Sequence, residues 1–122
     1  MGIRSVLAKP LAALVATQTR KWSLEPYHFQ RQIFDRLVKI GQTTRFGRDH
    51  NFASIRNYDD FRKNVPVRDY EDCKVYIEDV TKGEPDILWK GKPAYLAKTS
   101  GTTSGTKYIP ITSDSIPNHI NS

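Results

Sequence analysis

A single cysteine, Cys73, stands in the 122 residues, which excludes an intramolecular disulfide framework and any cysteine-rich zinc site. A chain so poor in cysteine is expected in a reducing compartment, and the cytoplasm is the natural expectation. Long apolar runs are also missing. The stretch Ser5 to Thr17 is broken by Lys9 and Pro10 and falls far short of the roughly 20 residues a membrane span needs, so no transmembrane segment is predicted. Met1-Gly2 opens like a myristoylation site, but Val6 stands where a hydroxyl is required. His28, His50 and His119 are widely separated and have no partner at metal-ligand spacing. Each is read as structural or superficial, and no metal-ligating residue is assigned.

Charge is uneven along the chain. Residues 1 to 50 carry 9 Lys plus Arg against 3 Asp plus Glu, whereas residues 51 to 122 carry 10 of each, so the formal net charge of +6 lies wholly in the N-terminal part. A basic N-terminus can meet a polyanion or an anionic membrane, or can be a solvated helix face. No aromatic-interleaved basic stripe accompanies it, so the solvated face is preferred and no nucleic-acid partner is expected. Hydrophobic residues at 38% supply enough apolar mass for a modest core, and wholesale disorder is excluded.

What is present is organised in three parts: an amphipathic basic helix over 1–22, a helical segment over 23–83, and strands with a glycine-rich loop over 84–122. Phe29, Ile33, Phe34, Leu37, Val38 and Ile40 recur at helical spacing, and Gly41 follows where a helix ends. Thr43 to Phe52 is polar and glycine-bearing, so a loop is predicted that pins its two aromatic residues against neighbouring helices. Ser54 is the expected cap of a short helix through Tyr58 and Phe61, and Val65-Pro66-Val67 is expected to be extended. A further helix is predicted from about Asp69 to Thr81, its imperfect buried face made by Tyr70, Cys73, Val75, Tyr76 and Val80. Asp69, Glu71 and Asp72 suit its positive end. The adjacent acids Asp59-Asp60 and Glu71-Asp72 do not face one another on a helix and are read as solvated. Ile87-Leu88-Trp89, Ala94 to Ala97 and Tyr108 to Ile111 are predicted strands, and Ser113 to Ser115 begins another helix.

The segment Lys98-Thr-Ser-Gly-Thr-Thr-Ser-Gly-Thr-Lys107 holds two glycines, six hydroxyls and two lysines between two strand candidates. Glycines allow backbone N–H groups to approach a ligand, hydroxyls donate to oxygens, and lysine supplies charge, so the loop has the composition of an anion cradle. Its structural alternative is a hydroxyl-rich hairpin turn without a ligand. The spacing is not that of a P-loop: three residues separate Gly101 from Gly105, Thr106 precedes Lys107, and Tyr108 stands where a magnesium-binding hydroxyl would be. Gly-x-Gly is absent, which excludes the dinucleotide fingerprint and the kinase glycine loop.

Thr99 to Lys107 resembles the Ser/Thr-Ser-Gly-Thr-Thr-Gly-rich-Lys motif of the adenylate-forming superfamily. Ser104 before Gly105, the continuation Lys107-Tyr-Ile-Pro-Ile-Thr112, and upstream Thr44 to His50, Tyr58 to Phe61, Val65 to Asp72 and Gly83 to Trp89 resemble one branch of it more closely. That branch is the auxin-responsive acyl acid amido synthetase family of plants and its bacterial relatives. The likeness runs from about residue 20 to the end, and a bacterial member is expected. It implies an α/β fold, the N-terminal fragment of an adenylate-forming large domain, with a helical first half followed by short strands around a phosphate-binding loop. It also implies a ligase that uses ATP and Mg2+ to adenylate a small carboxylic acid and passes the acyl group to an amine or amino acid. Carried over, Thr99, Ser100, Gly101, Thr102, Thr103, Ser104 and Gly105 would hold ATP, and Lys107 would be the catalytic counter-charge. The family's later motifs fall after Ser122, so the chain is expected to be inactive and poorly soluble alone. An acyl-CoA or aryl-CoA ligase fragment and a non-catalytic interaction module are the alternatives.

Overall fold

A computed structural model describes residues 3–100 and 105–121, with side chains from residue 8 to 100 and from 105 to 120. It divides into two units, one through Arg36 and one from Leu37. The first unit holds α1 (Ile3–Leu24), which carries Pro10 and no acid in its first turn, and most of α2 (Pro26–Gly41). The described side chains of α1 are exposed, among them Leu11, Leu14, Val15 and Trp22. On α2, Arg31 pairs with Asp35 one turn on. No described helix is long and apolar enough to cross a membrane.

In the second unit the last turn of α2 leads into a corner built by Thr44. Its hydroxyl donates to the Gly41 carbonyl at 2.7 Å and accepts the Gly47 N–H at 3.0 Å, which caps α3 (Arg45–Asp49). The segment predicted as a loop is therefore helical, followed by a 3₁₀ turn at Phe52–Ser54. Short polar helices leave no apolar period to read, and this one is held from elsewhere. The Arg45 and Phe46 N–H groups donate to the carbonyls of Asp86 and Ile87 at 2.8 and 3.0 Å, filling positions that a helix N-terminus leaves open. The predicted pinning of its aromatic residues does occur: Phe52 is buried, and Phe46 packs edge-on to Tyr76 with ring centroids 5.2 Å apart.

α4 (Tyr58–Asn64) is capped by Asn57, whose side chain accepts the Asp60 N–H, and not by Ser54, which closes the preceding turn. Val65 adopts the extended conformation expected before proline. α5 (Tyr70–Thr81) opens with a full capping box in which Asp69 and Asp72 exchange side-chain and backbone bonds, and Gly83, at φ +88°, lies just beyond its end. Its buried residues are Tyr76, Ile77 and Val80, while Val75 is 50% exposed. At about 100° per residue Val75 lies nearly opposite Cys73, so it could not share the face assigned to it. Cys73 itself is half-buried.

Tyr76, Val80 and Ile87 form the core cluster, with Phe46 and Leu88 against it. Ile87 to Trp89 is not a strand. The Asp86 and Ile87 carbonyls are engaged by α3, and the Asp86 N–H bonds the Gly91 carbonyl at 2.9 Å, closing a tight loop in which both residues have positive φ. The described strands are β1 (Tyr95–Thr99) and β2 (Lys107–Ile111), an antiparallel pair in register from Tyr95 opposite Ile111 to Thr99 opposite Lys107. The second half is thus less β-rich than its sequence texture predicts, and the chain is mostly helical with one two-stranded sheet. A short α6 (Ile116–Asn121) follows the turn at Ser115, as expected.

Candidate functional site

The glycine- and hydroxyl-rich segment is the connection between β1 and β2. Thr99 and Lys107 are the last facing pair of the hairpin. Thr99 is half-buried, and its hydroxyl points to the Lys107 carbonyl at 3.5 Å; Ser100 is exposed. Gly105 is exposed and left-handed at φ +82°, a conformation side chains rarely adopt, although a Cβ there would meet nothing within 4 Å. The glycine is required by the backbone angle and not by crowding. Gly101, Thr102, Thr103 and Ser104 lie outside the described residues.

Lys107 is half-buried, and its ammonium sits 5.3 Å from the centre of the Tyr70 ring, within cation–π range. The same tyrosine accepts the Tyr108 N–H on its hydroxyl at 2.8 Å. Tyr70 is the first residue of α5 and directly follows the Asp69 cap that starts the helix. Below the hairpin a cleft of about 200 Å³ is lined by Tyr70, Glu71, Lys74 and Glu78 of α5 and by Thr106 and Tyr108. Two carboxylates face one ammonium in it, and Lys74 already lies 3.7 Å from Glu71. The cleft therefore carries an excess of negative charge and does not favour an anion.

The described donor set, the hydroxyls of Thr99, Ser100 and Thr106 with the Lys107 ammonium, is of a chemical kind that phosphate oxygens can accept from. It holds no carboxylate, and among the described residues no group of three His, Cys, Asp or Glu comes together as metal ligands. Asp60 and Asp72, read from the sequence as solvated acids, are helix-start residues that bond backbone N–H groups of Arg56 and Asp69. His50 is structural, as expected. An arginine can only donate, so Arg68 at 3.0 Å fixes Nε2 as an acceptor and leaves Nδ1–H to donate to the Phe46 carbonyl at 2.7 Å. Tyr70 is the residue at the site that its sequence pattern does not announce, since its spacing places it only on a buried face of α5.

The described fold is a largely helical one with a single two-stranded hairpin, whose hydroxyl-rich connection ends beside a lysine set over the Tyr70 ring. Comparison with known proteins gives the family. The GH3 family N-terminal domain matches residues 16–122, and the chain belongs to the GH3 family. Indole-3-acetic acid-amido synthetase GH3.15 of Arabidopsis thaliana is 42% identical over 62 residues, covering 49% of this chain and 10% of the relative. Probable indole-3-acetic acid-amido synthetase GH3.13 of Oryza sativa subsp. japonica is 33% identical over 97 residues, covering 71% of this chain and 21% of the relative. The chain thus spans about a fifth or less of the length of these relatives. No solved structure matches.

Proposed function

We propose that this chain is the phosphate-handling N-terminal part of a cytoplasmic ligase of the adenylate-forming superfamily. In this reading the enzyme uses ATP and Mg2+ to adenylate a small carboxylic acid, and the acyl group then passes to an amine such as an amino acid. The relatives named as amido synthetases support the acid and amine, and the observation that carries the reading is the loop itself. A Ser/Thr/Gly segment closes a hairpin directly before an ammonium held on Tyr70. ATP supplies the activating phosphoryl chemistry when bound, and Thr99, Ser100, Gly105 and Lys107, with the intervening residues 101–104, are the groups that would hold its phosphates. Attack of a carboxylate at the α-phosphorus builds charge on phosphate oxygens, and donors already in place stabilise it without reorganising. Mg2+ is expected to reach these phosphates through ligands outside this donor set.

The test is acid-dependent exchange of label between pyrophosphate and ATP by the full-length protein across a broad acid panel. Exchange is expected, and Lys107→Ala is expected to lower it by about 10²- to 10³-fold, the usual cost of one such donor. No exchange with any acid refutes the reading. Incubation with coenzyme A and with amino acids then separates the ligase types: an amide is expected, and an acyl thioester as sole product would place the enzyme among the CoA ligases.

A further inference from the structure

We propose that Tyr70 is the positioning residue for Lys107, holding both its ammonium and the backbone that follows it. The inference rests on the reading of Lys107 as a phosphate contact, and it extends the site to a helix that contributes no hydroxyl-rich sequence. Tyr70 lies 38 residues from Tyr108, yet its hydroxyl accepts the Tyr108 N–H at 2.8 Å. Alternate N–H groups of a two-stranded ribbon point away from the partner strand, and Tyr70 takes this one off the sheet edge. The ring of the same residue lies under the Lys107 ammonium at 5.3 Å. One side chain therefore fixes two adjacent points of β2, at the place where the loop re-enters the sheet.

A lysine on a strand end has four rotatable bonds and would otherwise sweep a wide arc. The ring face attracts the ammonium without using any of its three N–H donors in a strong hydrogen bond, so the charge is located but still free to meet phosphate. An acidic partner would locate it equally well and neutralise it. Tyr70 in turn is located by the Asp69–Asp72 capping box and by the Tyr76 and Val80 side of α5, which belongs to the core. The phosphate-facing cation is thus referenced to the core through α5 and not through the loop.

The experiment compares Tyr70→Phe and Tyr70→Leu in the full-length protein, with lysine labelled at the ε-carbon and the Lys107 signal assigned by Lys107→Ala. The Lys107 ε-methylene is expected upfield of the other lysines through the ring current, unchanged in Tyr70→Phe and moved to the common position in Tyr70→Leu. Tyr108 amide exchange is expected to accelerate in both variants. In the pyrophosphate exchange assay Tyr70→Leu should lose about tenfold or more and Tyr70→Phe about two- to fivefold. On a Lys107→Ala background the Tyr70→Leu change should cost less than about twofold, because residues acting through one group are not additive. A purely structural role gives independent, multiplying losses. Multiplying losses, or a Lys107 signal indifferent to Tyr70→Leu, overturn the proposal. If the unsubstituted protein shows no exchange, the ligase reading falls, and the Lys107 signal alone still decides whether Tyr70 holds the lysine.

Discussion

Replacing Gly47 by alanine is the sharpest test of how the second unit is built. A Cβ at Gly47 would stand 1.9 Å from the Gly41 carbonyl oxygen, 2.7 Å from its carbon and 3.2 Å from the Gln42 nitrogen, and all three are backbone atoms. Ordinary contact begins at 3.4 Å, so the two chain segments must separate by about 1.5 Å. The oxygen in the way is the acceptor of both the Thr44 N–H at 3.0 Å and the Thr44 hydroxyl at 2.7 Å. The Gly47 N–H itself bonds that hydroxyl. Thr44 is 1% exposed, so water cannot replace what the separation breaks.

Three hydrogen bonds at about 1 kcal/mol each give a loss of about 3 kcal/mol, at the upper end of typical overpacking costs. Alanine's better helix propensity offsets about 1 kcal/mol at most, so the observed loss is expected between about 2 and 3 kcal/mol. The comparison variant is Gly41→Ala, whose Cβ would meet only the Phe52 ring, at 2.7 Å. A ring can tilt where a backbone cannot, and about 1 kcal/mol is expected there. Urea unfolding followed by far-ultraviolet circular dichroism reads both, at matched slope. A Gly47→Ala cost below about 1 kcal/mol, or a Gly41→Ala cost equal to it, refutes the argument that backbone proximity at this corner is what demands glycine.

Other outcomes follow from single contacts. Asp69→Ala removes the capping box of α5 and is expected to cost about 1 kcal/mol in the same assay, with Asp69→Asn recovering most of it. Asp114→Ala leaves the Trp89 N–H and the Lys90 ammonium without the carboxylate they now share at 3.0 and 3.2 Å; about 1 to 2 kcal/mol is expected, less for Asp114→Asn. The Lys82 ammonium, aided by the Arg45 guanidinium and opposed by burial, holds the Asp79 carboxyl below the usual carboxylate range. A depressed value contributes stability above the unfolded pKa, near 3.9, that is lost as pH falls through the folded one. The urea-midpoint gap between the parent and Asp79→Asn is therefore expected to shrink from about pH 5 downward. Burial first, and then Asp49, raises the Tyr76 phenol, so its contribution is full below the ordinary tyrosine value and fades above it; Tyr76→Phe should flatten the alkaline limb of the stability curve.

Elements with their own periodicity or capping chemistry were legible in the sequence. α2 ends at Gly41 and α5 begins at its Asp69 cap because those signals lie within a few residues of the backbone they control. Elements held by distant partners were not. α3 contains Gly47 and only one apolar residue, and its first N–H groups are satisfied by carbonyls some 40 residues further on, in Asp86 and Ile87. The same two bonds explain why Ile87 to Trp89, apolar and strand-like as text, does not pair: its leading carbonyls were already in use. On α5 the predicted face was right at Tyr76 and Val80 but took Val75 for Ile77, an error of phase that a strict 100° step removes.

The candidate site divides along the same line. Ser/Thr/Gly composition between two apolar runs announces a hairpin loop with donors, because every part of that signal is local. What turns Lys107 from one solvated lysine among many into an anchored cation is a ring 37 positions earlier, and no spacing rule connects the two. The sequence Asp69-Tyr-Glu-Asp72 reads as a helix start, and so it is; the first residue of that helix, Tyr70, is also the one that meets β2. A residue can therefore serve a local rule and a distant site at once. Asp69→Ala accordingly has two expected effects: the loss of a cap, and a shift of the Lys107 signal toward that of Tyr70→Leu. If the cap is lost while the Lys107 signal stays in place, α5 orients Tyr70 by its core face alone, and the capping box has no part in aiming the cation.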